Sequence, residues 1–220
     1  MFVKCYASTL AGIEALTVAV EANLSAGIGM YLVGLPDNAV KESQERIRSA
    51  FGNCGFRMTG KRLVVNLAPA DLRKEGSGYD LPIAVAILAA TGQIPDDMLS
   101  RYVIIGELSL DGSTMPVKGA LPVAIKAKEE GFRGLILPSQ NAREAAVVEG
   151  LEVIGVTGLK QAAEFLSGSV AIEPAAVCAD HEFAATANRY EEDFSDVRGQ
   201  AHVKRALEIA ACGGHNVITL

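Results

Sequence analysis

The sequence predicts an α/β fold built on a mixed sheet, and three observations predict it. Apolar runs of strand length alternate with helical stretches from residue 3 to residue 166, Gly-containing turns separate them, and 50% apolar content against 21% charged supplies a core. With 220 residues, this composition excludes disorder, collagen-like repeats and a disulfide-rich miniprotein, and it leaves room for one large domain or one domain plus part of another.

The elements follow in order. Val3 to Thr9, Glu14 to Leu24 and Gly29 to Val33 read as strands, separated by the turn signals Ala11-Gly12 and Ser25-Ala26-Gly27. Gly34-Leu35-Pro36-Asp37 stops the third strand and caps a helix from Asn38 to Asn53, where Val40, Ile47 and Phe51 share a face and Gly55 ends the helix. Arg62 to Ala68 is a buried strand. A Gly-rich loop, Arg73 to Tyr79, leads into the apolar helix Asp80 to Ala90 with Asp80 as its expected N-cap. The pattern then repeats: strand Tyr102 to Leu108, tight turn Asp111-Gly112, helix Val117 to Glu130 and strand Gly134 to Pro138. Helix Asn141 to Val148 with an Asn141/Glu144 capping box, strand Leu151 to Val156 and helix Leu159 to Leu166 complete it.

Residues 167 to 196 lose this periodicity and hold seven acids against one base, Arg189, so they account for the whole net charge of -6 and read as a solvated linker. Beyond them Val203 to Cys212 is helical, and Asn216 to Leu220 reads as a strand cut off as it begins, as expected of a truncation. No stretch approaches the roughly 18 to 20 apolar residues of a membrane span. Cys5, Cys54, Cys178 and Cys212 form no CxxC pair, so a soluble, cytoplasmic protein without a metal site is expected.

Four patterns invite chemistry. Gly55 to Lys61 fits GxxxxGK, but it follows a helix and enters a strand, and Arg62 stands where a magnesium-binding hydroxyl belongs, so it reads as a turn. Gly76-Ser77-Gly78 precedes a helix start whose free N–H groups could receive an anion or oxyanion. Ser77 with Lys118 or Lys74 could make a serine/lysine nucleophile. His181, His202 and His215 all lie beyond residue 166, which leaves no Ser/His/Asp arrangement inside the first domain. Finally, Arg57, Lys61, Arg62, Arg73 and Lys74 place five bases within eighteen residues, a candidate phosphate-contacting patch.

Three strings carry a family resemblance: YLVGLPDNAVKESQERIRSA (31 to 50), RLVVNLAPADLRKEGSGYDLPIAVAIL (62 to 88) and GELSLDGSTMPVKG (106 to 119). In order and together they resemble the N-terminal domain of the ComM/YifB proteins, the magnesium chelatase-like AAA+ ATPases. The resemblance implies a Lon-protease-like domain with the ribosomal protein S5 domain 2-like fold over residues 1–166, an acidic linker over 167–196, and the truncated start of a P-loop AAA+ domain over 197–220. The tail DFSDVRGQAHVKRALEIAACGGHNVITL is similar to the opening of that module. By the same resemblance Val197, Gly199 and Gln200 would border the nucleotide base, and the phosphate-binding loop would lie beyond Leu220. Negligible ATP affinity and no cofactor are therefore expected of these residues, with ATP and Mg²⁺ serving the intact protein.

Laid on the Lon nucleophile segment Lys-Asp-Gly-Pro-Ser-Ala-Gly, residues Lys74 to Gly78 put Gly78 at the serine position. Laid on Pro-Ile-Gly-Gly-Leu and the lysine after it, Pro116 to Leu121 put Leu121 at the lysine position. Ser77 and Lys118 are near misses. The expected function is a non-catalytic scaffold that guides DNA for an ATP-driven, hexameric, branch-migrating ring, with Arg57, Lys61, Arg62, Arg73 and Lys74 facing the DNA and no membrane partner. A cryptic Lon-type Ser/Lys peptidase is the alternative.

Overall fold

The computed structural model describes residues 1–72, 74, 76–177 and 193–218, which fall into two compact units divided at Val177. In the first unit a long hairpin, β1 (Phe2–Ala11) and β2 (Glu14–Ser25), supplies the centre of the sheet, its alternating Val3, Cys5, Ala7 and Val18, Val20, Ala22 turned to one buried face. β3 (Met30–Val33) and β4 (Arg62–Ala68) flank β2, while β5 (Tyr102–Ile104), β8 (Gly134–Pro138) and β9 (Glu152–Val156) continue from β1. The order is β3-β4-β2-β1-β5-β8-β9. β1–β2 and β2–β4 run antiparallel and the other four pairs parallel, so the sheet is mixed and mostly parallel.

α1 (Asn38–Cys54) begins and ends as its sequence requires: the Asp37 carboxylate accepts the Val40 N–H at 2.8 Å, and Gly55 closes the helix at φ 80°. The turn before it needs glycine at Gly34, where φ is 99° and a Cβ would stand 2.1 Å from the Leu67 carbonyl oxygen. The loop from Gly55 to Lys61 joins α1 to β4, the helix-to-strand connection expected of it. α2 (Asp80–Ala90) is buried along its whole length against β1, β2 and α1, with α5 (Leu159–Leu166) closing the same core.

Several expected boundaries move, each for a local reason. The strand Tyr102 to Leu108 divides into β5 and the two-residue β6 (Glu107–Leu108), which pairs with β7 (Thr114–Met115). The break falls at Gly106, whose N–H and C=O bond to Gly78 and Leu81, drawing the chain away from β8 and under the start of α2. α3 (Ala120–Glu129) starts later than Val117, because the Asn141 amide holds both the N–H and the C=O of Val117. That use of Asn141 also dissolves the expected capping box. α4 is only Ala142–Ala145, and Glu144 accepts the Leu121 N–H instead.

Residues 171–177, which composition assigns to the linker, lie against the first unit: Ala175 donates its N–H to Val153 of β9 at 2.8 Å, and Ile172, Ala175 and Val177 pack on the core. The remainder of the acidic stretch from 178 to 192 lies outside the described residues. In the second unit α6 spans Ala201–Gly213. Residues 216–218 are not a strand, and residues 219–220 lie outside the described residues.

Candidate functional site

The loop before α2 hangs from the start of α1. The Asp37 N–H donates to the Lys74 carbonyl at 3.1 Å, and the second oxygen of the Asp37 carboxylate accepts the Gly76 N–H at 3.1 Å. At the helix start beyond it the first amides are already engaged. Asp80 donates to the Ser77 carbonyl, Leu81 to Gly106 and Ile83 to Tyr79, while Pro82 has no N–H. The amides of Gly76, Asp80, Leu81 and Ile83 are thus engaged within the fold and not open to the expected oxyanion.

Asp80 does not cap α2 either. Its fully buried carboxylate takes two bonds from Arg46, Nε at 2.6 Å and Nη2 at 2.9 Å, and a third from the Leu108 N–H at 3.1 Å. Burial pushes the Asp80 carboxyl above its ordinary range and the bonds from Arg46 pull it back, while the same pairing raises the Arg46 guanidinium. One carboxylate thus ties α1, α2 and β6 together and fixes Glu107, the neighbour of Leu108.

A cleft of about 400 Å³ opens beside this tie, with Thr9, Tyr79, Ser77 and Glu107 on its floor and Lys118 at its rim. The two near-miss residues, Ser77 and Lys118, line it together. The Ser77 hydroxyl, however, donates to the Glu107 carboxylate. Sequence reasoning missed Glu107, because thirty residues separate it from Ser77 and only the fold brings them into contact. Lys74 does not join the cleft. Its side chain is buried, its ammonium donates to the Pro69 carbonyl, and desolvation lowers its pKa against the pull of Asp71.

That burial also removes Lys74 from the expected basic patch, and Arg73 lies outside the described residues. Arg57, Lys61 and Arg62 are exposed. Lys61 lines a groove of about 190 Å³ with Ile28, Met58 and Arg48 of α1, and the Arg62 guanidinium sits over the half-exposed Tyr31 ring at 5.1 Å. Arg48 was hidden in the sequence as one more charge on the solvated face of an amphipathic helix. The patch is thus a border formed by α1, the loop after it and the β3 edge.

In the second unit Val197 is exposed, and Gly199 and Gln200 both take positive φ, 72° and 51°, immediately before α6. The Gln200 carbonyl accepts the Lys204 N–H at 3.0 Å, and the Lys204 ammonium donates to the Val197 carbonyl. A non-glycine residue at φ 51° is an uncommon local shape that this turn imposes on Gln200. These three residues offer no lysine or glycine-rich loop for phosphate. His202 and His215 lie in this unit, and His181 is outside the described residues.

Residues 20–141 match the family model described as subunit ChlI of Mg-chelatase, and residues 193–220 match that of magnesium chelatase, subunit ChlI. The chain is 41% identical over 216 residues to the competence protein ComM of Haemophilus influenzae, covering 98% of this chain and 42% of that protein. It is 40% identical over 210 residues to the protein YifB of Escherichia coli, covering 95% of this chain and 40% of YifB. A more distant similarity, 26% identity over 117 residues, links 53% of this chain to 21% of Lon protease 2 of Bacillus subtilis. The chain spans about two fifths of the length of ComM and YifB.

Proposed function

The chain belongs to the ComM/YifB family of magnesium chelatase-like AAA+ proteins, a Lon-like α/β domain followed by the start of the AAA+ module, and from that premise we propose that the Lon-like domain is a non-catalytic scaffold guiding DNA to an ATP-driven ring. The observation that carries this reading is the basic border of Arg48, Arg57, Lys61 and Arg62, exposed on one margin of a unit with little net charge of its own. Exposed guanidinium and ammonium groups contact phosphate without reading sequence, as a guiding surface requires. In the intact protein the ring is hexameric and cytoplasmic, uses ATP with Mg²⁺, and migrates branched DNA. Among the described residues no helix is long and apolar enough to cross a membrane.

Anisotropy of a labelled branched oligonucleotide, titrated at several salt concentrations, tests the reading, with light scattering to follow mass. Replacing Arg48, Arg57, Lys61 and Arg62 by Ala in the intact protein is expected to flatten the salt dependence by about one unit of log–log slope for each phosphate that the variant no longer neutralises. An unaltered slope would leave a purely protein–protein role for the domain.

The second reading, a Lon-type peptidase, draws support from Ser77 and Lys118 lining one cleft. It requires Lys118 to displace Glu107 as the partner of the Ser77 hydroxyl. Peptide cleavage that survives Ser77→Ala would sink it.

A further inference from the structure

The outer edge of β3 is a short row of main-chain groups without a neighbouring strand. Among the described residues β3 is hydrogen-bonded to β4 alone. The Leu63 N–H donates to the Gly29 carbonyl at 2.9 Å, and along a parallel ladder alternate residues bond to the same side. Tyr31 and Val33 therefore turn their N–H and C=O groups to β4, while Met30 and Leu32 turn theirs outward. At the Gly29–Met30 end of this edge lies the groove of about 190 Å³, small for a whole ligand and of a size for one side chain. Ile28, Met30, Met58 and Leu63 make it apolar, Arg48 and Lys61 stand on it, and no carboxylate lines it. Neither Arg48 nor Lys61 makes an ion pair among the described residues.

These features separate the occupants that could cover the edge. A DNA backbone brings acceptors for the outward N–H groups but no donor for the outward carbonyls. A second copy of β3 brings a matching main chain, but its own Arg48, Lys61 and Arg62 come with it and set base against base. A polypeptide of opposite charge answers both the main chain and the bases. We infer that the β3 edge binds an extended acidic segment of a partner protein as an added strand, with one apolar side chain in the groove and carboxylates beside Arg48 and Lys61. Antiparallel pairing, the more stable per residue, brings the C-terminal part of that segment to the groove. This goes beyond the DNA reading. Peptide and DNA share Arg48 and Lys61 and compete for them, but only the peptide needs the main-chain row and the groove.

The test is a titration of the ¹⁵N-labelled chain with the acetylated, amidated peptide Thr-Val-Thr-Val-Glu-Leu-Glu, read by chemical shift and by amide hydrogen exchange. Binding slows exchange at Met30 and Leu32, whose N–H groups the peptide newly engages, and leaves Tyr31 and Val33, already bonded to β4, nearly as they were. Replacing both peptide glutamates by glutamine weakens binding about fivefold and flattens its salt dependence. Ile28→Ser, at a residue 83% exposed, trims the wall of the groove without changing charge. It weakens the peptide about threefold and leaves the affinity of a labelled branched oligonucleotide unchanged. No binding, unslowed exchange at Met30 and Leu32 at saturating peptide, or equal affinity for the glutamine peptide would overturn the assignment. So would protection of the same two amides by the oligonucleotide, which gives the edge to DNA, or by a doubling of mass without peptide, which gives it to a second copy. Failure of the DNA reading shows instead in the salt slope of the intact protein and leaves these outcomes untouched.

Discussion

The cleft before α2 and the basic border beside α1 are built on opposite terms. In the cleft Ser77 answers Glu107, and the elements that frame it are tied by further pairs, Asp80 to Arg46 and Leu108, and Asn141 to Val117. At the border Arg48, Arg57 and Lys61 answer to solvent, and Arg62 to the face of one tyrosine. The first arrangement spends stability on geometry and suits recognition of a small group at fixed distances. The second leaves charge free and suits a long polyanion held by a field that salt weakens. The difference teaches that the two surfaces fail differently: disturbing the cleft costs folding energy, whereas disturbing the border costs only affinity.

The sharpest way to break that contrast is Arg46→Met. Its side chain is 20% exposed and that of Asp80 fully buried, so removing the arginine strands a charge with no water to meet it. A loss of about 3 to 5 kcal/mol is expected from urea unfolding at pH 7. Burial already raises the Asp80 carboxyl and the loss of Arg46 raises it further, so the deficit shrinks as the buffer is taken from pH 7 to pH 5 and the acid takes up a proton.

A somewhat smaller effect is expected from Tyr79 in alkali. Unfolded tyrosine loses its proton near pH 10, whereas the native hydroxyl keeps it to about 12. Stability is therefore level below pH 10 and falls between pH 10 and 12, by roughly 2 to 3 kcal/mol from this group. Cys5 and Tyr102, each raised to about 12, add falls of the same sign, and Lys74, lowered by burial, opposes them. The difference between the native chain and Tyr79→Phe cancels these common contributions and isolates the one hydroxyl.

Asn141→Ala removes the amide that holds both backbone groups of Val117 at the rim, and about 2 kcal/mol is expected from thermal unfolding. At the other extreme, replacing Arg57 or Lys61 by Ala should move stability by less than about 0.5 kcal/mol while still flattening the salt dependence of DNA binding. A large stability change there would show that the border is tied into the fold after all.

Much of the fold was legible because the hydrophobic pattern is local. The apolar run from Leu81 to Ala90, the Asp37 cap and the terminal Gly55 each declare themselves within one element. The candidate sites were less legible because their partners are distant. An aspartate at a helix start looks alike whether it caps or pairs with an arginine thirty-four residues upstream, and Asp80 does the second. Ser77 suggested a lysine partner and found a carboxylate. Lys74 looked like one more surface base, and only the path of its own loop shows that it is covered. Arg48 went unnoticed for the opposite reason, since a charge on the outer face of an amphipathic helix carries no sign of which neighbours the turn of the chain will give it.

The bond from Ala175 to Val153 has a consequence for how copies of this domain could meet. It lays the chain's own backbone along β9, one outer strand of the seven, while β3 at the far side exposes Tyr31 and Val33. Open sheet margins are templates for pairing between molecules. A sheet with two of them can polymerise without limit, but a sheet with one can join a single neighbour, and the union consumes the only margin either brought. By folding residues 171–177 back on itself the domain covers part of its β9 margin and leaves the β3 margin the more open of the two.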